Sequence, residues 1–267
     1  VLLFSLELQC FCDIMIQMRG GAAMAEFTIR IAQHNIQVIS LFESTRDYCR
    51  AYLTEGTPET TVSVTREDLA FEQEALRQEA LEEGIRFRQF PDPFLERAAI
   101  QRKTAEFLFD YEILMLHGST VALDGKAYLF TAKCGTGKST HTRLWRQEFG
   151  DRARMVNDDK PFLEVGEVGV TAFGSPWSGK HGLDTNIAVP LQGICILERG
   201  AENQIWKISQ EEALPMLRHQ GYCPLEPEKQ MPYRHLVEKL AERTGLWKMY
   251  CNKDAQAAWI SSEAMAK

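Results

Sequence analysis

Apolar positions change their spacing several times along the chain, and each change marks an element. From Glu26 to Phe42 they alternate: Phe27, Ile29 and Ile31, then Ile36, Val38 and Leu41 beyond His34–Asn35, which predicts a hairpin turning at those two residues. Ser44–Leu53 reads as a short helix and Thr60–Val64 as a strand. Thr65 then caps a charged helix over Arg66–Glu83 that Gly84 stops. Its few apolar positions (Leu69, Phe71, Leu76, Leu81) predict a solvated, Glu-rich face. Over Pro91–Phe109 the period is helical, with Phe94, Leu95, Ala98, Ala105, Leu108 and Phe109 toward one side.

Beyond Phe109 the character shifts. Ile113–Leu123 and Lys126–Thr131 are β-like and joined by Asp124–Gly125, a strong hairpin signal. A helix follows at Lys138–Phe149, then strand-like Arg154–Val156, Pro161–Val165, Gly169–Phe173 and Leu191–Glu198, with little room for helices between them. Ser209 with Glu212 forms a capping box for a helix to Gln220, another helix spans Pro227–Arg243, Trp247–Cys251 is strand-like, and Asp254 caps a last helix. A hairpin ahead of the Lys138 helix and consecutive strands behind it predict an α/β fold whose sheet is mixed and partly antiparallel, rather than a strictly alternating parallel one.

The 267 residues are 45% hydrophobic and 25% charged, enough for a real core. They divide into a small α+β region over 24–110 and a larger core with C-terminal helices over 111–267. Val1–Ala23 reads as an extension with little structure of its own, since the regular pattern opens only at Met24. A net charge of −7 excludes a nucleic-acid partner, and no run of about 18 apolar residues predicts a membrane span. The seven cysteines are odd in number and form no C-x-x-C pair, so reduced thiols in a cytoplasm are expected.

The chemistry concentrates in a few segments. Ala132-Lys-Cys134-Gly135-Thr136-Gly137-Lys138-Ser139-Thr140 has the form of a phosphate-binding loop, with Ala where Gly is commoner. Gly135 and Gly137 let consecutive N–H groups turn inward, Lys138 reaches the β- and γ-phosphates, and the Ser139 hydroxyl can ligate Mg²⁺. Cys134 reads as a filler within the loop. Asn157-Asp158-Asp159-Lys160 follows a short apolar run; adjacent carboxylates there suit a shared cation and a proton acceptor, or else a solvated turn. His117-Gly118 sits near the middle of a β-like stretch, where a histidine is more often a core residue. The Gly-rich loop Gly174–Gly182, carrying Trp177 and Lys180, could close over phosphates or substrate or lie plainly on the surface; Arg199, at a strand end, could meet a phosphate or simply pair with neighbours.

His117-Gly118, Ala132–Thr140 and Asp158-Asp159, in that order, resemble the catalytic core of HPr kinase/phosphorylase, a bacterial protein-serine kinase family whose fold is related to ATP-dependent phosphoenolpyruvate carboxykinase. The resemblance covers Leu114–Val165. It implies that Lys138 and Ser139 bind phosphates and Mg²⁺, that Asp158 is the general base, that Asp159 is a metal or phosphate-site partner, and that His117 lies near the transferred group. Two features depart from the family: its later segment with a metal-binding Glu and a catalytic Arg has no counterpart, and the region before Ala98 is unlike its regulatory N-terminal domain. Both point away from HPr itself as acceptor.

The expected function is therefore a kinase using ATP and Mg²⁺ to phosphorylate a Ser or Thr hydroxyl on a small protein or peptide, with a small hydroxylated metabolite as the alternative acceptor. A carboxykinase-like enzyme would need an Arg cluster that the sequence lacks. A binding module that responds to nucleotide without transfer is the reading from a different class. Oligomeric state is left open.

Overall fold

The structure, a computed structural model, describes residues 24–82, 84 and 86–267. The extension expected over Val1–Ala23 and the helix end expected at Glu83 lie outside the described residues. The chain folds as two compact units divided between Asp110 and Tyr111.

In the first unit β1 (Ala25–Ile31) pairs antiparallel with β2 (His34–Ser40), Ile31 standing opposite His34. The hairpin therefore turns at Ala32–Gln33, not at the expected His34–Asn35. Both turn residues have positive φ, 46° and 70°, as a tight two-residue turn requires. His34 Nδ1 and the Asn35 N–H are instead held on the carboxylate of Glu59. Strand β3 (Thr60–Ser63) runs parallel to β2. The helix expected over 44–53 is a shorter α1 (Glu43–Tyr48) followed by a 3₁₀ turn, Arg50–Tyr52. Helices α2 (Arg66–Glu82) and α3 (Asp92–Phe109) complete the unit. At the start of α2, Thr65 N–H donates to Asp68 Oδ2 and Asp68 N–H to Thr65 Oγ1. The Glu-rich run of α2 is not all solvated as expected, because Glu72 and Glu79 are buried. Arg102 of α3 donates through Nε to Glu72 Oε1 at 2.6 Å, with Asp68 and Glu106 around the same guanidinium. A buried cation needs such partners, and they come from helix packing, which hydropathy does not report.

The second unit carries β4 (Ile113–Met115), β5 (Ser119–Leu123), β6 (Lys126–Thr131), α4 (Lys138–Phe149), β7 (Ala153–Asn157), β8 (Phe162–Val165), β9 (Val170–Phe173), β10 (Ala188–Arg199), β11 (Gln204–Lys207), α5 (Gln210–Gln220), α6 (Gln230–Arg243), β12 (Gly245–Cys251) and α7 (Gln256–Met265). Its strands form a mixed sheet ordered β4-β8-β9-β10-β6-β5-β7, with β12 on β10 and β11 on β12. Long β10 joins the two halves: its first residues pair antiparallel with β9, and the rest run parallel between β6 and β12. β11, short and mostly exposed, was not expected from the sequence.

The expected continuous strand over 113–123 is broken at Leu116–Gly118. Strands β4 and β5 stand five places apart in the sheet, roughly 24 Å at normal strand spacing, yet a three-residue link reaches only about 14 Å. The sheet must therefore curl until their ends approach, and His117 sits in that link.

Trp145 of α4, fully buried, anchors the core among Tyr128, Phe130 and Phe149, and donates through Nε1 to Ser261 Oγ of α7 at 2.8 Å. Removing that ring is expected to cost about 3–5 kcal/mol, since neither the sheet nor α7 can close the gap. The packing clamps α4 against the sheet. It also presents the helix start at one edge, where β6, β7 and β10 end and β5 begins. Carboxyl ends of parallel strands are where open α/β sheets bind ligands.

Candidate functional site

The segment between β6 and α4 is built on two glycines with left-handed backbone, Gly135 (φ 70°) and Gly137 (φ 125°). Gly137 is the N-cap of α4, and no side chain caps the helix. The first-turn N–H groups of a helix have no intrahelical acceptor, so the start of α4 offers donors and a positive helix end together. Ala132 is fully buried in the Trp145 core, which explains an apolar methyl where the motif commonly has Gly. Lys138 is buried, its Nζ 3.3 Å from the Ala132 carbonyl. Ser139 and Thr140 are half-buried on the first turn, and Cys134 and Thr136 half-buried in the loop. Arg199, at the end of β10, donates to the carbonyls of Gly135 and Thr136. It braces the loop's backbone.

A register shift positions the carboxylates. β5 and β7 pair Val121 with Met155 but Thr120 with Asn157, so Val156 is the extra residue. Such a bulge redirects every following side chain. It places Asp158 beside Ser119, whose hydroxyl donates to Asp158 Oδ1 at 2.5 Å, and the Ser139 hydroxyl favours the charged form of the same carboxyl. Thr142 Oγ1 lies 2.7 Å from Ser119 Oγ, extending the network into α4. Asn157 holds the turn: its Oδ1 accepts from the N–H of Asp159 and of Lys160, while Nδ2 donates to the carbonyls of Ser175 and Trp177. The Gly-rich loop is thereby strapped to the Asp158-Asp159 turn. Gly179 packs so closely that a Cβ there would stand 3.3 Å from Asp159 Cβ.

His117 is buried in the link between β4 and β5, rather than within a strand. Its N–H donates to the Gln220 carbonyl at 2.8 Å and its carbonyl accepts from Thr131 Oγ1. The next amide, of Gly118, donates to the Asp159 carbonyl, which ties the link to the acidic turn. Nε2 stands 3.3 Å from Asp159 Oδ1. Burial, then the nearby ammoniums of Lys160 and Lys138, hold the imidazole well below its ordinary pKa. Burial thus weakens the charge on the imidazole that would make this contact an ion pair. Burial pushes Asp158 the other way, above the usual carboxylate range, with Asp159 adding to the rise and Ser119, Ser139 and His181 opposing it.

The structure thus brings His117, Lys138, Ser139, Asp158 and Asp159 to one place. Lys180 lies exposed on the turn Gly179–His181 above Asp159, and Arg199 lies behind the loop. Sequence reasoning missed Ser119, Thr142 and the bracing role of Asn157, and gave Lys160 no part. Only the tetrapeptide Asn157–Lys160 held any signal for them. Among the described residues no group of three or more His, Cys, Asp or Glu could hold a metal ion by itself. A Mg²⁺ ion fits the donors present in another way: one hydroxyl and one or two carboxylates, with phosphates and water supplying the remaining oxygens. Among the described residues no helix is long and apolar enough to cross a membrane.

No protein-family model matches the chain. No curated protein matches it either. Among solved structures, the Hpr(Ser) kinase/phosphatase from Coxiella burnetii is similar at 9% identity and a TM-score of 0.33, over 56% of this chain and 94% of that one. A likeness of that size carries no inference about activity.

Proposed function

We propose that this chain is an ATP-dependent kinase that transfers the γ-phosphate to a hydroxyl, that of a Ser or Thr on a small protein or peptide. One observation carries the reading: the buried Asp158 carboxyl is joined through Ser119 to Thr142 in the first turns of α4, whose start is uncapped, with Asp159 and His117 alongside. A glycine-shaped loop, a lysine and a helix start suit a polyphosphate, and the carboxylates suit its cation and the attacking hydroxyl.

In this reading the amides at 135–140 and the Lys138 ammonium bind the phosphates, while Arg199 keeps the loop carbonyls turned away. Ser139 and Asp159 would hold Mg²⁺, which when bound neutralises charge on the transferred group. Asp158 accepts the proton of the attacking hydroxyl; its raised pKa suits it to that task. Ser119 fixes the carboxyl's orientation from one side. His117, beside Asp159, helps hold that carboxylate in place. The Gly174–Gly182 loop would help exclude water from the acceptor.

Incubating the purified protein with labelled ATP and candidate peptides is expected to transfer label. Asp158→Asn is expected to slow transfer about 10²–10⁴-fold while ATP still binds. Undiminished transfer by that variant would remove Asp158 as the base, and ATP binding without transfer to any acceptor would favour a nucleotide-responsive binding module.

A further inference from the structure

Lys160 is the charged group of this site that the mechanism above leaves unused. Its side chain is 4% exposed. The backbone around it is fixed at three points: its N–H meets Asn157 Oδ1 at 2.6 Å and the Trp177 carbonyl at 3.2 Å, and its carbonyl accepts from Ser175 Oγ at 2.7 Å. Its Nζ stands 4.0 Å from Asp159 Oδ1, the same oxygen that His117 Nε2 approaches to 3.3 Å.

Several facts point one way. A lysine is rarely buried without a charge to answer, and Asp159 is one. At 4.0 Å the ammonium and the Asp159 carboxylate are electrostatic neighbours. A rigid backbone with a four-carbon stem gives the ammonium a short, defined reach. A second ammonium beside the carboxylates adds positive charge where a polyphosphate would place its own negative charge.

We propose that Lys160 is a catalytic residue, a second phosphate-binding ammonium that reaches an oxygen of the transferred γ-phosphoryl group from the β7–β8 turn, as Lys138 reaches the phosphates from the start of α4. The proposal rests on the nucleotide-site reading above and adds a residue that discriminates the γ-phosphate. Developing charge on the transferred group is what such a cation stabilises.

The test is calorimetric titration of the full chain with ATP·Mg²⁺ and ADP·Mg²⁺, comparing wild type, Lys160→Met and Lys138→Ala. Lys160→Met is expected to weaken ATP about tenfold to a hundredfold while ADP changes less than about twofold. Equal effects on both nucleotides, or none on either, would overturn the proposal and leave Lys160 as a structural counter-charge to Asp159. Loss of both nucleotides in Lys138→Ala alongside that result would overturn this inference alone. Should wild type bind neither nucleotide, the underlying reading falls with it. Should Lys160→Met not fold, side-chain NMR of ε-¹³C-lysine wild type, assigned with Lys160→Arg, decides: a Lys160 signal displaced by ATP and not by ADP supports the contact. A signal displaced equally by both, or by neither, overturns it.

Discussion

Arg199 Nη2 donates to the Gly135 carbonyl, tying the end of β10 to a loop 64 positions earlier in the chain. A glycine at φ 70° can flip its peptide at little cost, so an outside hold on its carbonyl limits that motion. Arg199→Ala is expected to weaken ATP binding about three- to tenfold while the melting midpoint stays within about 2 °C, because the bond lies at the surface. Titration and thermal melting of the same sample check this. An unchanged affinity would mean that the loop holds its shape unaided.

Lys138 is buried against the Ala132 carbonyl, so its ammonium is already partly withdrawn from water and turned back over the loop. Lys138→Ala is expected to reduce affinity for ATP by more than about tenfold, the loss of a charged hydrogen bond or more. If binding and phosphate release both persist in that variant, the nucleotide reading is lost altogether.

His141 lies inside the core that clamps α4, its ring against Phe130 and its Nε2 3.0 Å from Ser261 Oγ. Burial lowers its pKa to about 3, so the folded protein keeps it neutral when the unfolded chain, near 6.5, takes up a proton. A depressed folded pKa makes this contribution complete above about pH 6.5 and progressively lost down to about pH 3, by roughly 1.4 kcal/mol per pH unit. Urea unfolding at pH 6.5 and pH 5 should show wild type losing about 2 kcal/mol more than His141→Phe. Parallel losses would show that the residue titrates normally in the fold.

Gly174 holds the strapped loop at close quarters: a Cβ there would fall 1.9 Å from the Thr185 carbonyl oxygen and 2.9 Å from that of Val156. Backbone cannot step aside as a side chain can. Gly174→Ala is expected to destabilise the chain by about 3 kcal/mol or more, beyond ordinary overpacking, and to loosen the Asp158-Asp159 turn. Chemical denaturation measures the first effect, and loss of nucleotide binding at a temperature where the variant remains folded measures the second.

Much of this is legible in the order of residues. The helix start at Lys138, the hairpin at Asp124–Gly125, the cap at Ser209 and the long helix at Pro91–Phe109 follow from local chemistry: which residues tolerate a left-handed turn, which side chains satisfy free N–H groups, which spacing buries one face. The mixed character of the sheet followed too, since strands without intervening helices leave few other connections. Local chemistry alone misread the first hairpin, where Ala32 and Gln33 take positive φ while Glu59 holds the next two residues in the strand.

What tertiary structure alone decided is the neighbourhood of each charged group. The curl of the sheet takes His117 out of a strand and lays it on Asp159; the bulge at Val156 turns Asp158 toward Ser119 and Ser139; the packing of the 174–182 loop buries Lys160 beside them. Sequence spacing measures distance along the chain, whereas electrostatics and hydrogen bonding act through a few ångströms of space. The kinds of group available could therefore be read from the order of residues, and their partners only from the way the sheet closes.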